Sequence, residues 1–194
     1  MDERTDRRIK RTRSALKNAY IQLLERFSDE KITVLMITQY ANVNRATFYC
    51  HFSNKPELLK EMLYDVLEGL KNAILTAFKN EKIIKVSGVT PTTIGIFDYI
   101  EKNKKIFHAL YFGHEDFKHH VEELFINIFS DNIHMDIESP MGKVNYEMYI
   151  HYQTSATLGL IFYWIQTDFQ FPSTFMIEQL TMLTNTEVIN LRKF

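Results

Sequence analysis

Apolar residues recur along this chain at steps of three and four, which is the spacing of one face of an α-helix. Gly occurs six times and Pro four times in 194 residues, so few points interrupt the pattern. We therefore predict an all-α protein. The predicted helices cover about residues 5–27, 33–41, 45–52, 54–78, 92–112, 115–133, 145–168 and 173–190. The segments 80–91 and 139–142 contain Gly and Pro and are predicted to be a linker and a loop.

Two short helices follow the first long one, and the turn between them makes a special demand on the backbone. Asn42 lies at this turn, which needs a residue that tolerates a positive φ, and Asn is the best choice after Gly. In the second short helix, Phe48 and Phe52 are four residues apart, so we expect both to point inward. The side chains left mostly outside are Arg45, Ala46, Thr47, Tyr49, Cys50 and His51. This arrangement is a helix-turn-helix, whose exposed helix fits the major groove of DNA.

Local signals also predict where the neighbouring helices begin. Thr33 is placed to cap the first short helix. Asn54 and Glu57 have the spacing of a capping box, and Pro56 lies in a first turn, where its missing N–H does no harm. The fourth helix, residues 54–78, is therefore expected to begin soon after the exposed residues 45–51.

The formal net charge of −1 conceals an uneven distribution of charge. Residues 1–55 hold 11 Lys or Arg against 6 Asp or Glu, whereas residues 56–194 hold 12 against 18. Several of the bases lie near the start of the first helix, where they oppose the helix dipole, so an external anion would explain them. They are Arg7, Arg8, Arg11 and Arg13. A basic head on an acidic body indicates that the head binds a polyanion, and the alternative is a solvated basic helix.

Composition and motifs argue against several other classes. We find no apolar run long enough to span a membrane and no signal-peptide segment, so we expect a cytoplasmic protein. One cysteine, Cys50, excludes an intrachain disulfide. The segment 108–120 is rich in His and carboxylates, but His119 and His120 point about 100° apart on a helix, so we predict no metal there. We see no catalytic motif, and we predict neither a cofactor nor an enzyme.

The segment from Ile32 to Leu59, which contains RATFYCHFSNKPELL, resembles the DNA-binding domain of TetR-family transcriptional regulators. The similarity covers about residues 8–60, and its most specific part is the pattern Phe-Tyr-x-His-Phe-x-x-Lys-x-x-Leu-Leu. The family usually has Gly where this chain has Asn42, which tolerates the same backbone geometry. The resemblance implies an N-terminal three-helix helix-turn-helix DNA-binding domain, residues 1–55, joined to a larger helical-bundle domain for ligand binding and dimerisation, residues 56–194. The helix 54–78 would bridge the two.

Carried over position by position, the resemblance implies two kinds of contact with DNA. The residues that look like phosphate contacts are Thr33, Tyr49, His51 and Lys55. The residues that look like the base-reading edge are Asn44, Arg45, Ala46 and Thr47, with Arg45 the candidate for a guanine. Other interpretations stay open at this stage. Arg45 could contact phosphate alone, and Tyr49 could pack across the first helix. His51 could contact the groove instead of a phosphate, and the Lys55 side chain could simply be solvated.

The body shows a weaker similarity, in residues 99–110 and 159–165, to a subgroup of TetR-family regulators. It implies a homodimer in which the helices 145–168 and 173–190 form a four-helix bundle with their symmetry mates. The aromatic residues of the body are either ordinary core or a cage for a small apolar or aromatic effector. The candidates for the cage are Phe97, Tyr111, Tyr152 and Trp164.

These expectations describe a transcriptional repressor. It would bind a palindromic double-stranded DNA operator as a homodimer and would be controlled by a small-molecule effector. The second hypothesis is a helical protein-interaction and dimerisation module that does not bind DNA. An enzyme is the third, and it would need catalytic residues that lie far apart in the sequence.

Overall fold

The computed structural model describes residues 3–79, 90–132, 138–139 and 142–185. The all-α prediction is confirmed, since these residues form helices and one antiparallel pair of very short strands. The helices are α1 (Glu3–Leu24), α2 (Val34–Tyr40), α3 (Arg45–Tyr49), α4 (Lys55–Lys79), α5 (Pro91–Lys102), α6 (Lys104–Gly113), α7 (Phe117–Asn132), α8 (Tyr146–Gln166) and α9 (Ser173–Asn185). A 3-10 turn covers Asp29–Lys31, and the strands are β1 (Glu138–Ser139) and β2 (Gly142–Lys143).

Some predicted segments fall outside this description. They are residues 80–89 of the predicted linker, residue 133 of the predicted helix 115–133, residues 140–141 of the predicted loop and residues 186–190 of the last predicted helix. Among the helices that are described, none is long and apolar enough to cross a membrane.

The prediction of one helix over residues 92–112 is wrong, because the chain forms α5 and α6 with a break at Asn103. Asn103 has φ −113° and ψ 19°, which is not helical. Its side-chain amide donates to the carbonyl of Tyr99 at 2.8 Å, and its N–H also turns back to the last turn of α5. Asn competes in this way for backbone groups and so ends a helix without Gly or Pro.

Packing divides the chain into two compact units, and the first comprises Met1–Glu68 and Lys105–Val121. Its core is apolar and nearly closed to solvent, with Leu16, Tyr20, Leu23, Ile37, Phe48, Phe52 and Leu58 each at 1% exposure or less. The helix α1 packs against α2, and α6 approaches α1 closely at Gly113, where a Cβ atom would lie 2.7 Å from Cδ2 of Leu24. The inward prediction for Phe48 and Phe52 is confirmed, and their ring centroids lie 5.8 Å apart.

The second unit comprises Gly69–Lys104 and Glu122–Phe194. The helix α5 packs on α9, and its carboxylates bind the start of that helix. Glu101 accepts the Ser173 N–H at 3.0 Å and the Ser173 hydroxyl at 2.8 Å. At Gly69 a Cβ atom would collide with the hydroxyl end of the Tyr99 ring, so a larger residue at this contact of α4 with α5 would force that ring to move. The two packing units differ in extent from the predicted functional domains, residues 1–55 and 56–194, which stay a prediction.

Candidate nucleic-acid interface

The turn between α2 and α3 depends on one residue in the left-handed region of backbone space. Asn42 has φ 52°, as the sequence predicts. The chain then closes the turn with a hydrogen bond from the N–H of Val43 to the carbonyl of Thr38 at 3.0 Å. A positive φ costs Asn less free energy than it costs residues with a β-branched side chain. The choice of Asn at this position therefore sets the angle between the two short helices.

The polar side chains at the N-termini of α2 and α3 form hydrogen bonds within those helices. The hydroxyl of Thr33 accepts the N–H of Met36 at 3.2 Å, which makes it the N-cap of α2. The side-chain oxygen of Asn44 accepts both the N–H of Thr47 at 2.7 Å and its hydroxyl at 2.8 Å. These caps hold Asn44 and Thr47 in fixed positions at the N-terminal end of α3, where a recognition helix meets base edges.

Arg45 and Tyr49 form a pair on the exposed face of α3. The guanidinium of Arg45 donates to the Tyr49 hydroxyl at 3.2 Å and lies 5.6 Å from the centre of its ring. Tyr49 is 47% exposed and also meets the edge of Phe48. Ala46 is exposed beside them. The pair therefore presents a cation and a phenol to solvent, one helical turn apart.

His51 lies in a groove between α1 and the end of α3. The groove has a volume of about 650 Å³ and is lined by Arg8, Ile9, Thr12, Arg13, Thr47, Cys50 and His51. Burial, and then the nearby guanidinium of Arg13, hold the pKa of His51 below its ordinary value. An imidazole shifted in this direction is neutral at pH 7, and its ring N–H still donates a hydrogen bond to an anion.

The sequence indicates only an external anion near Arg8 and does not single out Thr12, although both residues line this groove. Both belong to α1 and lie one turn apart, and the Thr12 hydroxyl donates to the Arg8 carbonyl at 3.0 Å. The only indication in the sequence that α1 takes part in this surface is the run of basic residues near its start. Sequence alone did not reveal that this part of α1 lies beside α3.

Lys55, at the start of α4, is engaged by the protein itself. Its ammonium group lies 2.9 Å from Oδ1 of Asp29, and only 18% of its side chain is exposed. The same carboxylate accepts a hydrogen bond from the Tyr20 hydroxyl, and burial followed by this bond raises the pKa of Tyr20. Lys55 is thus not merely solvated, because it ties the start of α4 to the 3-10 turn after α1.

The capping pattern predicted at the start of α4 is present in a shifted form. Oδ1 of Asn54 accepts the N–H of Glu57 at 2.8 Å, as expected. The Glu57 carboxylate, however, accepts from the N–H of Ser53 at 2.6 Å, one residue before the expected donor. The junction between α3 and α4 is therefore fixed by local hydrogen bonds as well as by Lys55.

Two of the four aromatic residues proposed for an effector cage lie together within the second unit. Phe97 and Trp164 belong to the second unit, are fully buried and have ring centroids 5.5 Å apart. Tyr152, also in that unit, is 70% exposed. Tyr111 belongs to the first unit, where the ammonium of Lys118 lies 4.4 Å from its ring centre. Trp164 also donates to the Phe171 carbonyl at 2.8 Å, so it is part of the core.

A buried threonine of the second unit has no hydrogen-bond partner among the residues that the structure describes. Thr154 of α8 is 1% exposed, and its hydroxyl oxygen makes no hydrogen bond to the described part of the chain. Other threonines in this protein bond back to the preceding turn, as Thr181 does to the Ile177 carbonyl at 2.8 Å. A buried hydroxyl without a partner costs about 1–3 kcal/mol. The neighbours of Thr154 along the same buried face of α8 are the apolar residues Ile150 and Leu158.

The histidine-rich segment after α6 brings some rings near one another. The ring centroid of His120 lies 6.4 Å from that of His114 and 6.2 Å from that of His119. Within the part of the chain that the structure describes, no three His, Cys, Asp or Glu side chains come close enough to hold a metal ion.

Comparison with known proteins identifies the family of this chain. Residues 22–62 match the family described as "Bacterial regulatory proteins, tetR family", and residues 87–186 match one described as "Transcriptional regulator C-terminal region" of the TetR type. These two regions cover the helix-turn-helix and most of the second unit. The chain belongs to the TetR family of transcriptional regulators.

A relative in Bacillus subtilis agrees with this assignment. The chain is 30% identical over 165 residues to the uncharacterized HTH-type transcriptional regulator YxbF of Bacillus subtilis, covering 84% of this chain and 41% of that protein. The chain thus spans less than half of that relative's length.

Two solved structures share the fold at low sequence identity. The fatty acid degradation regulator FadR of Bacillus halodurans has a TM-score of 0.68 at 11% identity, over 93% of this chain and 97% of that chain. A TetR transcriptional regulator of Streptococcus agalactiae has a TM-score of 0.58 at 22% identity, over the same shares. At such identities the likeness concerns the fold alone.

Proposed function

We propose that this protein is a transcriptional repressor that binds a palindromic double-stranded DNA operator as a homodimer under the control of a small-molecule effector. The observation that carries the DNA-binding part is the α2–α3 unit, in which the left-handed Asn42 sets a short helix whose exposed face presents Arg45 beside Tyr49. Family membership supports the same conclusion. In this proposal residues 1–55 bind DNA, residues 56–194 bind ligand and dimerise, and the protein acts in the cytoplasm without a cofactor.

The contacts with DNA divide into two kinds in this proposal. Arg45 reads a base, with guanine the best match for its two parallel donors, and Asn44, Ala46 and Thr47 complete the edge that faces the bases. Phosphate oxygens are bound by Thr33, Tyr49, His51 and Lys55. The internal contacts of Asn44, Arg45 and Lys55 support the assignment, because a group already held in place loses less entropy on binding.

Exposed side chains on α8 and α9 support dimerisation through these two helices. Met148, Tyr152 and Tyr163 lie on α8 and are 72%, 70% and 50% exposed. Met182 and Leu183 on α9 are 58% and 61% exposed. Apolar and aromatic side chains at such exposure are typical of a surface that a partner covers. Two copies would join α8 and α9 into a four-helix bundle.

A dimer makes control by an effector physically simple. The two recognition helices must enter successive major grooves about 34 Å apart, so a small change in their separation removes one of them from the DNA and most of the affinity with it. The helix α4 extends from the DNA-binding region into the second unit and would carry the change. Repression follows if the bound dimer blocks transcription and the effector releases it.

The unpaired hydroxyl of Thr154 favours an effector that enters the second unit. A mainly apolar or aromatic molecule with one hydrogen-bonding group would satisfy this hydroxyl while its remaining surface contacts apolar side chains. FadR of Bacillus halodurans, which shares this fold, is a regulator of fatty acid degradation, and an amphiphile of that kind has the required chemistry.

The experiment that tests this function is selection of duplex DNA from a randomised library by the purified protein, followed by titration of the selected duplex at several salt concentrations. We expect selection of a palindromic sequence and an affinity that falls steeply with salt. A protein that selects no sequence and shows no salt-dependent binding would instead favour the interaction module. An enzyme has no support from any cluster of side chains described above.

A further inference from the structure

Arg13 of α1 joins three groups that come from the end of α3 and from α4. Its Nη1 donates to the carbonyl of His51 at 3.0 Å. Its guanidinium lies 4.4 Å from the ring centre of Phe52. Its Nε and Nη2 both donate to the carboxylate of Glu61, with the Nε contact at 3.3 Å. All three guanidinium nitrogens are therefore used within the protein.

Charge balance around Glu61 strengthens this arrangement. Lys17, one turn after Arg13 on α1, lies 2.6 Å from Oε1 of Glu61 and also pairs with Asp65. Partial burial alone would raise the pKa of Glu61, but hydrogen bonds from Lys17 and Arg13 and their charges outweigh it and hold that pKa below its ordinary value. Glu61 is therefore ionised at neutral pH, and the charge of Arg13 is matched inside the protein.

The carbonyl that Arg13 binds belongs to His51, the residue directly after the C-cap of α3, Cys50. The last turn of a helix leaves carbonyl groups without partners, and a cation there is favourable. The N–H groups of His51 and Phe52 both return to the carbonyl of Phe48, so this segment is rigidly attached to α3. Arg13 therefore fixes where α3 ends relative to α4, which begins at Lys55.

We propose that Arg13 is a positioning residue for DNA recognition. It sets the direction of α3 through the carbonyl of His51 and the ring of Phe52, and it does not itself contact DNA. Arg8 lines the same groove and is exposed on α1. Among the bases near the start of α1, Arg8 rather than Arg13 would therefore bind a phosphate. This inference rests on the proposed DNA-binding function.

The test uses Arg13→Lys, Arg8→Ala and a duplex selected from a randomised library by the wild-type protein. Lys keeps the charge of Arg13 but not the planar fork that binds a carboxylate and a carbonyl together. We expect Arg13→Lys to weaken binding of the selected duplex about tenfold, with unchanged binding of an unrelated duplex and an unchanged slope of log affinity against log salt. We expect Arg8→Ala to weaken both duplexes and to reduce the slope by about one.

The matched control for stability is Lys17→Met. Lys17 shares the carboxylate of Glu61 but is not among the groups bonded to the end of α3, so this variant loses stability without losing affinity. If Lys17→Met weakens the selected duplex as much as Arg13→Lys does, or if Arg13→Lys binds like the wild type, the positioning role is overturned. A salt slope reduced by about one in Arg13→Lys would make Arg13 a phosphate contact instead. Failure of the wild type to bind any duplex would overturn the proposed function itself, which is a different result.

Discussion

The ammonium group of Lys55 lies 2.9 Å from Oδ1 of Asp29, two residues that are 26 positions apart in the sequence. Lys55 therefore has two roles in our proposal, an internal ion pair and a phosphate contact. We expect Lys55→Ala to lower the free energy of unfolding by about 1–2 kcal/mol, since the pair is only partly exposed. It should also weaken selected and unrelated duplexes alike and flatten the salt dependence. Urea unfolding and salt-dependent titration measure the two effects.

Asp29→Asn is the control for this prediction. It removes the negative charge beside Lys55 and leaves the lysine in place, so stability should fall while affinity for DNA is kept or increased. A Lys55→Ala protein with an unchanged salt slope would show that the lysine acts only inside the protein.

A second prediction concerns pH and His51. Because the pKa of His51 lies below its ordinary value in the free protein, the ring is neutral at pH 7, and a phosphate oxygen beside it would raise that pKa in the complex. Binding then takes up a proton, so affinity should rise as pH falls from about 8 to about 6, and His51→Gln should flatten this dependence. His119→Gln, on α7, should not. An unchanged pH profile in His51→Gln would remove His51 from the set of phosphate contacts.

The lowered pKa of His51 affects stability in the opposite direction, because the free energy of unfolding decreases as pH falls. A histidine whose pKa is lower in the folded than in the unfolded state contributes stability above its unfolded pKa and loses it as pH falls through the folded pKa. Affinity must therefore be measured over a range in which circular dichroism shows the protein folded.

A third prediction concerns the turn at Asn42. Its φ of 52° costs a β-branched residue much more than Asn or Gly, so Asn42→Val should lower the free energy of unfolding by about 1–2 kcal/mol and also weaken operator binding by tilting α3. Asn42→Gly should remain within about 1 kcal/mol of the wild type and bind DNA normally. Asp168→Val is the matched control, because Asp168 has φ 53° in the other unit and should affect stability but not DNA affinity. Equal binding by Asn42→Val and Asn42→Gly would contradict the prediction.

A fourth prediction concerns the unpaired hydroxyl of Thr154. Val has nearly the same shape, so Thr154→Val should raise the free energy of unfolding by about 1 kcal/mol by removing a buried polar group without a partner. The variant should also lose affinity for compounds that the wild type binds from a panel of apolar and aromatic molecules. Thr181→Val, which breaks an existing hydrogen bond, should instead lower stability and keep ligand affinity. A destabilised Thr154→Val protein would mean that the hydroxyl does have a partner.

A fifth prediction uses Gly159 on the exposed side of α8. A Cβ atom there meets nothing within 4 Å in the isolated chain, so Gly159→Ala should stabilise the helix by up to about 1 kcal/mol. If two copies pack along this face, a large side chain blocks their approach, and Gly159→Leu should raise the dimer dissociation constant at least about tenfold. Sedimentation measures this, with Leu183→Ala on α9 as a second interface variant. Normal dimerisation of Gly159→Leu would place the interface elsewhere.

The sequence predicted the helix-turn-helix well because its signals are local. Thr33 caps α2 three residues from its own position, as predicted, and Asn42 marks the turn by itself. The break at Asn103 was missed because no Gly or Pro announces it, and a single Asn is ambiguous within an apolar pattern. The short length of α3, which ends at Tyr49, was missed because its apolar spacing continues to Phe52.

The parts of the site that the sequence did not predict depend on residues far apart along the chain. Arg13 meets Glu61 across 48 positions, and Lys55 meets Asp29 across 26. Helical periodicity indicates which side of a helix is buried, but it does not indicate which charge on another helix lies opposite. Lys55 and Arg13 therefore read as surface bases in the sequence, and only the folded chain shows their internal partners.

The position of Cys50 has a practical consequence. It is the C-cap of α3, it is exposed, and it is the one cysteine of the chain. A nitroxide spin label attached to this thiol would therefore mark a single site beside the recognition helix without any mutation. In a dimer the dipolar coupling between two such labels would give the distance between the two recognition helices in solution, with and without DNA or a bound compound.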